Sequence, residues 1–573
     1  LVRSRGLGDV YKRQLLIMCI AATAYGNAQN IIPFSSPKHE VRAVWLTTIG
    51  GLDWPRNYAH SVSGIQRQKQ ELCNILDKLH RGGVNTVLLQ TRVRATTIYP
   101  SDIEPWDGCM SGKPGVSPGY DPMAFAIDEC HKRGMEIQAW VVTIPVGKWN
   151  GHGCRTLRRN YPSLLRRIGD EGYMKPELNA TADYIAGICG EITRNYDIDG
   201  IHLDYIRYPE VGKRNVGSAE GRSNITRIVE RVSSTVKSLK PWVKLSCSPV
   251  GKHADLARYS SRGWNARTAM WQDAQAWLRD GLMDELLPMM YFKGNNFYPF
   301  ALDWLENSHG RIVAPGLGIY FLSPAEQDWD LCDIKRELFF LRSHGMGHAY
   351  FRSRFFTDNV KGIYDFVTGL VDHYPALIPP MTWASSVKPL APTWIELTRG
   401  DNNDRLEWSG ARDMSSGNYL TYNIYRSRAY PVNTADARNI VAVRRKETNI
   451  VLPHKNGDDT YHYAVTAMDR FGNESQPLMT MAPLSGEYYP AMVSGKLLAN
   501  DGITLIMPAM AKFADAEFAI IESLTGVMIA SVPYSTDRID ISRLPDGMYC
   551  IKTVNRKGIT HRLGCFMIRR KDI

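Results

Sequence analysis

Between Glu40 and Tyr374 the chain alternates short apolar runs with longer stretches whose apolar residues recur every three or four positions. The short runs, Val41–Thr47, Val84–Arg92, Glu136–Thr143, Gly200–Ile206, Val243–Pro249, Glu285–Phe292, Ile312–Tyr320 and Gly347–Arg352, read as buried strands. Gln68–Arg81, Pro122–Arg133, Ala180–Asn195, Ser223–Lys240, Thr268–Asp280 and Lys335–Ser343 have the length and spacing of amphipathic helices. Gly82-Gly83 and Arg133-Gly134 supply C-terminal caps. Strand–helix alternation argues for a parallel sheet, and eight strands predict a closed (β/α)8 TIM-type barrel over residues 40–374, an α/β fold.

The fourth predicted strand carries the sharpest signal. Its period of two sets Ile201 and Leu203 on one face and His202 and Asp204 on the other, as expected of a strand with helices outside and a polar centre inside. Asp204 falls at the C-terminal strand end, where a barrel of this kind carries its active site, so it is the leading catalytic candidate. The competing reading is an Asp that caps the next helix or pairs with Arg207.

Beyond Tyr374 the pattern changes. Pro375 through Pro379-Pro380 opens a Pro-rich linker over residues 375–387. Strands of period two then follow at Leu406-Glu407-Trp408, Tyr422–Arg426 and Tyr461–Thr466, an all-β sandwich signature over residues 388–485. Residues 488–573 read as a second, C-terminal β-sandwich, with a Leu544-Pro545-Asp546-Gly547 turn before the strand Met548–Val554.

Composition narrows the function classes. Hydrophobic residues at 44% against 22% charged indicate a chain folded throughout. The ten cysteines show no CxxC or Cys/His ligand spacing, so no metal site and no cofactor is expected; Cys550 and Cys565 are placed to pair across a hairpin. GxSxG and P-loop motifs are absent, which argues against esterase and nucleotide chemistry. The net charge of +11 includes a basic run at Lys148, Arg155, Arg158, Arg159, Arg166 and Arg167, which is suited either to steering an acidic polymer or to a solvated helix face. Residues 1–14 read as a translation artefact and 15–28 as a signal-peptide remnant, with a basic pair, an apolar stretch and small-residue sites in order, so export to the periplasm or cell surface is expected. No later apolar stretch is long enough to span a membrane.

Several motifs occur together and in order: His39–Thr47, Asp53-Trp54-Pro55, Tyr99–Trp106, Gly119-Tyr120-Asp121-Pro122, His131–Gly134, Asp199–Tyr205, Gln272-Asp273, Trp277 and Pro288-Met289-Met290-Tyr291. Together they resemble the glycosyl hydrolase-like family 10, envelope barrels whose characterised activity is hydrolysis of peptidoglycan strands stripped of their peptides. The Trp408 strand, the Tyr-rich strand and Ala467–Ser475 resemble a fibronectin type III domain. The last domain resembles the sorting sandwiches of a Gram-negative secretion route, a plain accessory sandwich being the other reading. Two positions depart from the family pattern: many members carry Asp where Tyr205 stands, and many carry Asp where Thr96 stands.

The resemblance implies a glycoside hydrolase with a glycan or polysaccharide substrate, no nucleic-acid partner and no cofactor. Such chemistry uses two carboxyl groups flanking the scissile bond. Asp204 is the first, and Asp102 and Glu104, after the second strand, are the candidates for its partner. Gln90 and Arg92 share a face with Arg94, and Arg92 is placed either to hold Asp204 ionised or to form a structural ion pair. Trp45, Trp54, Trp106, Trp140 and Tyr291 lie near strand ends, where they either stack on sugar rings or belong to the core. His202, Tyr205 and Arg207 complete the expected binding set. The alternative reading is a catalytically weak glycan-binding envelope protein on a hydrolase scaffold. The sugar, the linkage and the oligomeric state are left open.

Overall fold

The computed structural model describes residues 36–209, 216–257, 259, 264–400, 402–415, 418–453, 461–480, 498, 500, 503–506, 516–523, 527–534, 538–555 and 560–568. The expected artefact and signal peptide lie outside the described residues.

Eight parallel strands close into a barrel. They are β1 (Arg42–Leu46), β2 (Thr86–Val93), β3 (Glu136–Val142), β4 (Gly200–Asp204), β5 (Lys244–Cys247), β6 (Glu285–Leu286), β7 (Ile312–Val313 and Gly316–Leu317) and β8 (His348–Tyr350). Neighbours pair in chain order, and β8 returns to β1 through Arg42 opposite His348, which completes the ring. The last three ladders are shorter than the predicted runs because Pro288 and Pro315 lack the N–H that a ladder needs. Their carbonyls still take part, Pro288 accepting from Gly316 N at 2.8 Å and Pro315 from Ala349 N at 3.0 Å.

The flanking helices start where the sequence supplies caps. Ser61 opens α1 (Val62–Arg81), and Asp121, with Pro122 behind it, opens α2 (Pro122–Lys132). After them come α3 (Asn179–Asn195), α4 (Ser218–Leu239), α5 (Ala274–Arg279), α6 (Tyr298–Glu306) and α7 (Leu331–Ser343). The single helix expected over Thr268–Asp280 is instead two short ones, Ala266–Ala269 and α5, separated at Trp271, whose φ of 59° is incompatible with a helix. Apolar residues divide into two sets: Ile201 and Leu203 pack outward against helices, whereas Trp45, Leu88, Trp140 and Leu287 fill the barrel.

The Pro-rich stretch is a strap, not a loose linker. Leu377 bonds to Lys38 and Glu40 through its backbone, and Ile378 and Trp383 pack under the barrel's interior cluster. Trp383 Nε1 donates to Asp284 Oδ1 at 2.8 Å, and Arg311 lies over its ring. Next, sheets of three and four antiparallel strands between Ile395 and Met479 enclose a shared core of Ile395, Leu406, Trp408, Ile424, Tyr463 and Val465. This sandwich docks on the N-terminal end of the barrel. Arg444 reaches Glu136 Oε1 at 2.9 Å and Asp199 Oδ1 at 2.6 Å, and Arg470 reaches Asp197 Oδ1 at 2.5 Å. Further along, sheets of two and four strands surround Leu505, Ile521, Ile551 and Phe566. Cys550 and Cys565 face each other there with sulfurs 2.9 Å apart.

One charged side chain sits against the logic of burial. Glu337 shares the buried face of α7 with Ile334, Leu338 and Leu341, and neither of its carboxyl oxygens has a hydrogen-bond partner among the described residues. Burial, reinforced by Asp333 and opposed by Lys293, pushes its pKa up to about 9. A carboxyl whose folded pKa is raised contributes most at low pH; that contribution is lost as pH climbs from the ordinary 4.5 towards about 9. Glu337→Leu is expected to stabilise the protein at pH 8 by about 1–3 kcal/mol, the usual cost of an unsatisfied buried polar group. Urea unfolding at pH 5 and pH 8 checks this, since the gain must be larger at pH 8.

Candidate active site at the barrel mouth

A cavity of about 740 Å³ opens over the C-terminal strand ends, and Asp204 lies in its floor. Trp140 Nε1 donates to Asp204 Oδ2 at 3.0 Å, while Ser248 Oγ and the Tyr205 N–H donate to Oδ1 at 2.9 and 2.8 Å. Burial raises the Asp204 pKa, and nearby Arg207 with these three donors offsets only part of that rise. Oδ1 accepts two bonds and Oδ2 one, so a proton is best accommodated on Oδ2. These contacts are not those of a helix cap, and Arg207 acts on Asp204 through its charge.

Beneath Asp204 runs a chain of polar side chains along the barrel axis. Ser246 Oγ donates to Gln138 Oε1 at 2.6 Å and therefore accepts from His202 Nδ1 at 2.8 Å, which leaves His202 Nε2 to accept from Trp45 Nε1 at 3.2 Å. Burial lowers the His202 pKa to about 3, in keeping with a neutral ring that has one donor and one acceptor. Gln138 then donates to Glu285, whose pKa burial lifts to about 7. His202 and Trp45 thus support the floor and do not line the cavity.

The remaining predicted residues divide sharply. Gln90, Trp140, Tyr205, Arg207 and Tyr291 line the cavity with Asp204. Gln90 Oε1 accepts from the Thr48 and Ile49 N–H groups and so pins the loop after β1. Arg207 lies 4.4 Å from the Tyr205 ring centre and 5.3 Å from that of Trp264. Tyr291 packs on Tyr320 and Phe351, and burial followed by the Asp204 charge keeps its hydroxyl protonated.

Arg92 does not reach Asp204. It makes a buried two-pronged pair with Glu104, Nε to Oε2 at 2.9 Å and a terminal nitrogen to Oε1 at 2.7 Å, and it also binds the Val142 and Thr143 carbonyls. Tyr184 donates to the same Glu104 Oε1 at 2.9 Å. Glu104 is therefore held behind the wall. Asp102 is exposed, and its backbone N–H is tied to Glu191 on α3 at 2.8 Å. Neither carboxylate lines the cavity. Trp54 is fully buried and donates to the Gln68 carbonyl, and Trp106 forms a backbone bridge with Thr97 away from the cavity.

Long-range folding adds residues that no local pattern marked. The segment after β3 forms a three-stranded sheet, Pro145–Lys148 with Glu171–Met174 and Leu165–Ile168, that brings Glu171 and Tyr173 into the wall. Glu326, Tyr320 and Phe355 come from the loops after β7 and β8. Of the basic run, Arg155, Arg158 and Arg159 lie on the helix His152–Asn160, with Arg158 stacked 4.3 Å from Trp149. Two strained backbones also border the cavity. Tyr205 has φ 53°, and the hairpin turn after β2 places both Arg94 (φ 55°) and Ala95 (φ 57°) in the left-handed region. A side chain in that region costs roughly 1–2 kcal/mol per residue, which is why such turns favour Asn-Gly.

The family described as Glycosyl hydrolase-like 10 matches residues 40–221 and 219–321. Glycosyl hydrolase YngK of Bacillus subtilis is 28% identical over 497 residues, covering 78% of this chain and 94% of that protein. Glycosyl hydrolase DigH of Escherichia coli is 31% identical over 339 residues, covering 50% and 76% respectively. Among solved structures, the PgaB glycoside hydrolase domain of Bordetella bronchiseptica aligns at 11% identity and a TM-score of 0.39, covering 58% of this chain and 99% of that one. With the match running from β1 through β7 and the loops between them, the chain belongs to the Glycosyl hydrolase-like 10 family.

Proposed function

We propose that this protein is an exported glycoside hydrolase that cuts bacterial cell-wall glycan, denuded peptidoglycan strands or a related polysaccharide, with Asp204 as its essential carboxyl group. The observation that carries this reading is a buried carboxyl of raised pKa in the floor of an aromatic-walled cavity. A carboxyl that keeps its proton to higher pH in this way is suited to protonate the leaving glycosidic oxygen. Tyr291 and Tyr205 offer faces to sugar rings, Trp140 closes the floor beside Asp204, and Gln90 and Arg207 offer polar edges. Glu171 and Glu326, which share the cavity, are the sources of the second carboxyl in this reading; Asp102 and Glu104 are not. The relatives named glycosyl hydrolase support the reaction class.

A second reading, glycan binding with little cleavage, draws support from Tyr205, which stands where many members carry a carboxylate. Incubating the full chain with denuded peptidoglycan strands and weighing the products by mass spectrometry separates the two. Hydrolysis yields shorter oligosaccharides with one water added per cut, whereas intact strands retained by the protein indicate binding alone. Strands neither cut nor retained would sink both readings.

A further inference from the structure

A second cavity of about 560 Å³ lies beside the first, and Arg94 lines both, so the two spaces meet at its side chain. The backbone there is built around this residue. Arg94 and Ala95 occupy the two central positions of a tight turn in left-handed conformations, where Asn-Gly would be at ease. The stem of Arg94 runs over Gly147, at which an added Cβ would come within 2.8 Å of it, and the turn's carbonyls press on Gly153, where an added Cβ would meet them at 2.3 and 2.5 Å. Gly147, on the strand Pro145–Lys148, and Gly153, on the helix His152–Asn160, both belong to the segment after β3, which packs closely on the stem and the backbone of this turn.

Its surroundings leave that charge available. Arg92, two residues earlier, is saturated by Glu104 and two carbonyls, whereas Arg94 makes no hydrogen bond or ion pair among the described residues. Arg56 and Lys148 line the second cavity with it, and Asp107, the one carboxylate of its lining among the described residues, is turned to Thr96 Oγ1 at 2.6 Å and the Cys109 N–H at 2.8 Å. Lys148 pairs with Asp170 and with Glu171 on the adjacent strand of its own sheet. Lys148 is thus matched by carboxylates and Arg56 lies 3.8 Å from Glu71, which leaves Arg94 as the unpaired cation of the second cavity among the described residues. Strained, non-glycine backbone positions of this kind cluster at active sites and ligand clamps.

We propose that the second cavity is an extended subsite for a carboxylate-bearing sugar, with Arg94 as the residue that selects it. This rests on the reading of the first cavity as a glycan cleft: a strand seated over Asp204 continues past Arg94, which meets a carboxylate on a neighbouring sugar with paired N–H donors. The residue is a specificity determinant and takes no part in bond cleavage.

The test compares denuded peptidoglycan strands carrying free lactyl carboxylates with the same strands converted to neutral methylamides. For wild type, kcat/KM, or 1/Kd should the protein bind without cutting, is expected to be about ten- to a hundredfold higher for the anionic strands, the usual worth of a charge-assisted pair. Arg94→Asn, which suits the turn and removes the charge, should bring that ratio towards one, and Arg94→Lys should keep an intermediate ratio. Tm for both variants monitors folding, and Arg94→Asn should not lower it. A wild-type ratio near one, or an Arg94→Asn protein with the wild-type ratio, overturns the subsite while leaving the glycan reading intact. If wild type acts on neither form and binds neither, the glycan reading fails and the subsite with it.

Discussion

Asp204→Asn is expected to lower glycan cleavage by about 10²–10⁴-fold, the usual loss when general acid–base assistance is removed. Asn keeps the size and one acceptor oxygen, so Ser248 and the Tyr205 N–H retain their partner. The amide nitrogen is then left facing Trp140 Nε1, which costs one hydrogen bond, on the order of 1 kcal/mol of stability. A chain of this size tolerates that, so folding is preserved while turnover falls. The pH profile supplies a second check. With its pKa raised by burial, Asp204 keeps its proton to higher pH than an ordinary aspartic acid and loses it as pH rises through that pKa. Activity carried by a general acid should therefore decline on the alkaline side, and that limb should be absent from any residual Asp204→Asn activity. Wild-type turnover by the Asn variant on a substrate the parent cleaves would make Asp204 a structural residue.

The second large effect concerns the barrel floor, far from the chemistry. Arg444 enters from the sandwich and is shared between Glu136, which also pairs with Lys244 at 2.7 Å, and Asp199, which also meets His131 at 2.9 Å. Taking away one partner of a buried ion pair typically costs about 3–5 kcal/mol, because the remaining charge stays buried. Arg444→Ala should fall at the lower end, since Lys244, His131 and Arg470 remain to compensate. Urea unfolding followed by tryptophan fluorescence and by limited proteolysis between the domains would show it. A variant with an unchanged midpoint and no new cleavage would mean that apolar contacts of Ile378 and Trp383 hold the domains together without Arg444. The same geometry bears on truncation: a chain cut after Tyr374 loses both the strap and Arg444, so glycan assays are best made on the full chain.

The barrel was legible because its signals are local. Period-two faces placed Ile201 and Leu203 against helices and His202 and Asp204 inside, and Gly82-Gly83 and Arg133-Gly134 marked helix ends, although α1 begins at Val62, ahead of the expected Gln68. Even the shortened ladders of β6 and β7 have a local cause in Pro288 and Pro315. Asp204 was equally visible, since a carboxylate at the end of a barrel strand needs only the strand to be recognised. The Trp271 break was hidden because nothing in the residue type announces a positive φ.

Partnership, by contrast, depends on which loops fold over the mouth. Asp102 and Glu104 sit in a loop after β2, as expected, yet the loop docks on α3 through Glu191 and turns Glu104 towards Arg92. Spacing along a strand puts Arg92 near the mouth but says nothing of whether a carboxylate twelve residues later reaches it first. Glu171 and Glu326 joined the cavity because an antiparallel sheet and a long loop carried them there across the barrel top. The Pro-rich strap likewise read as a linker, since proline forbids regular structure but does not forbid burial, and only the barrel's open lower end made Ile378 and Trp383 worth covering. What the chain determined by itself was the repeating strand–helix architecture and the acid at its fourth strand, both set by periodicity and local sterics. What only the tertiary structure decided was which charges meet, because side-chain reach and desolvation act between segments far apart in sequence.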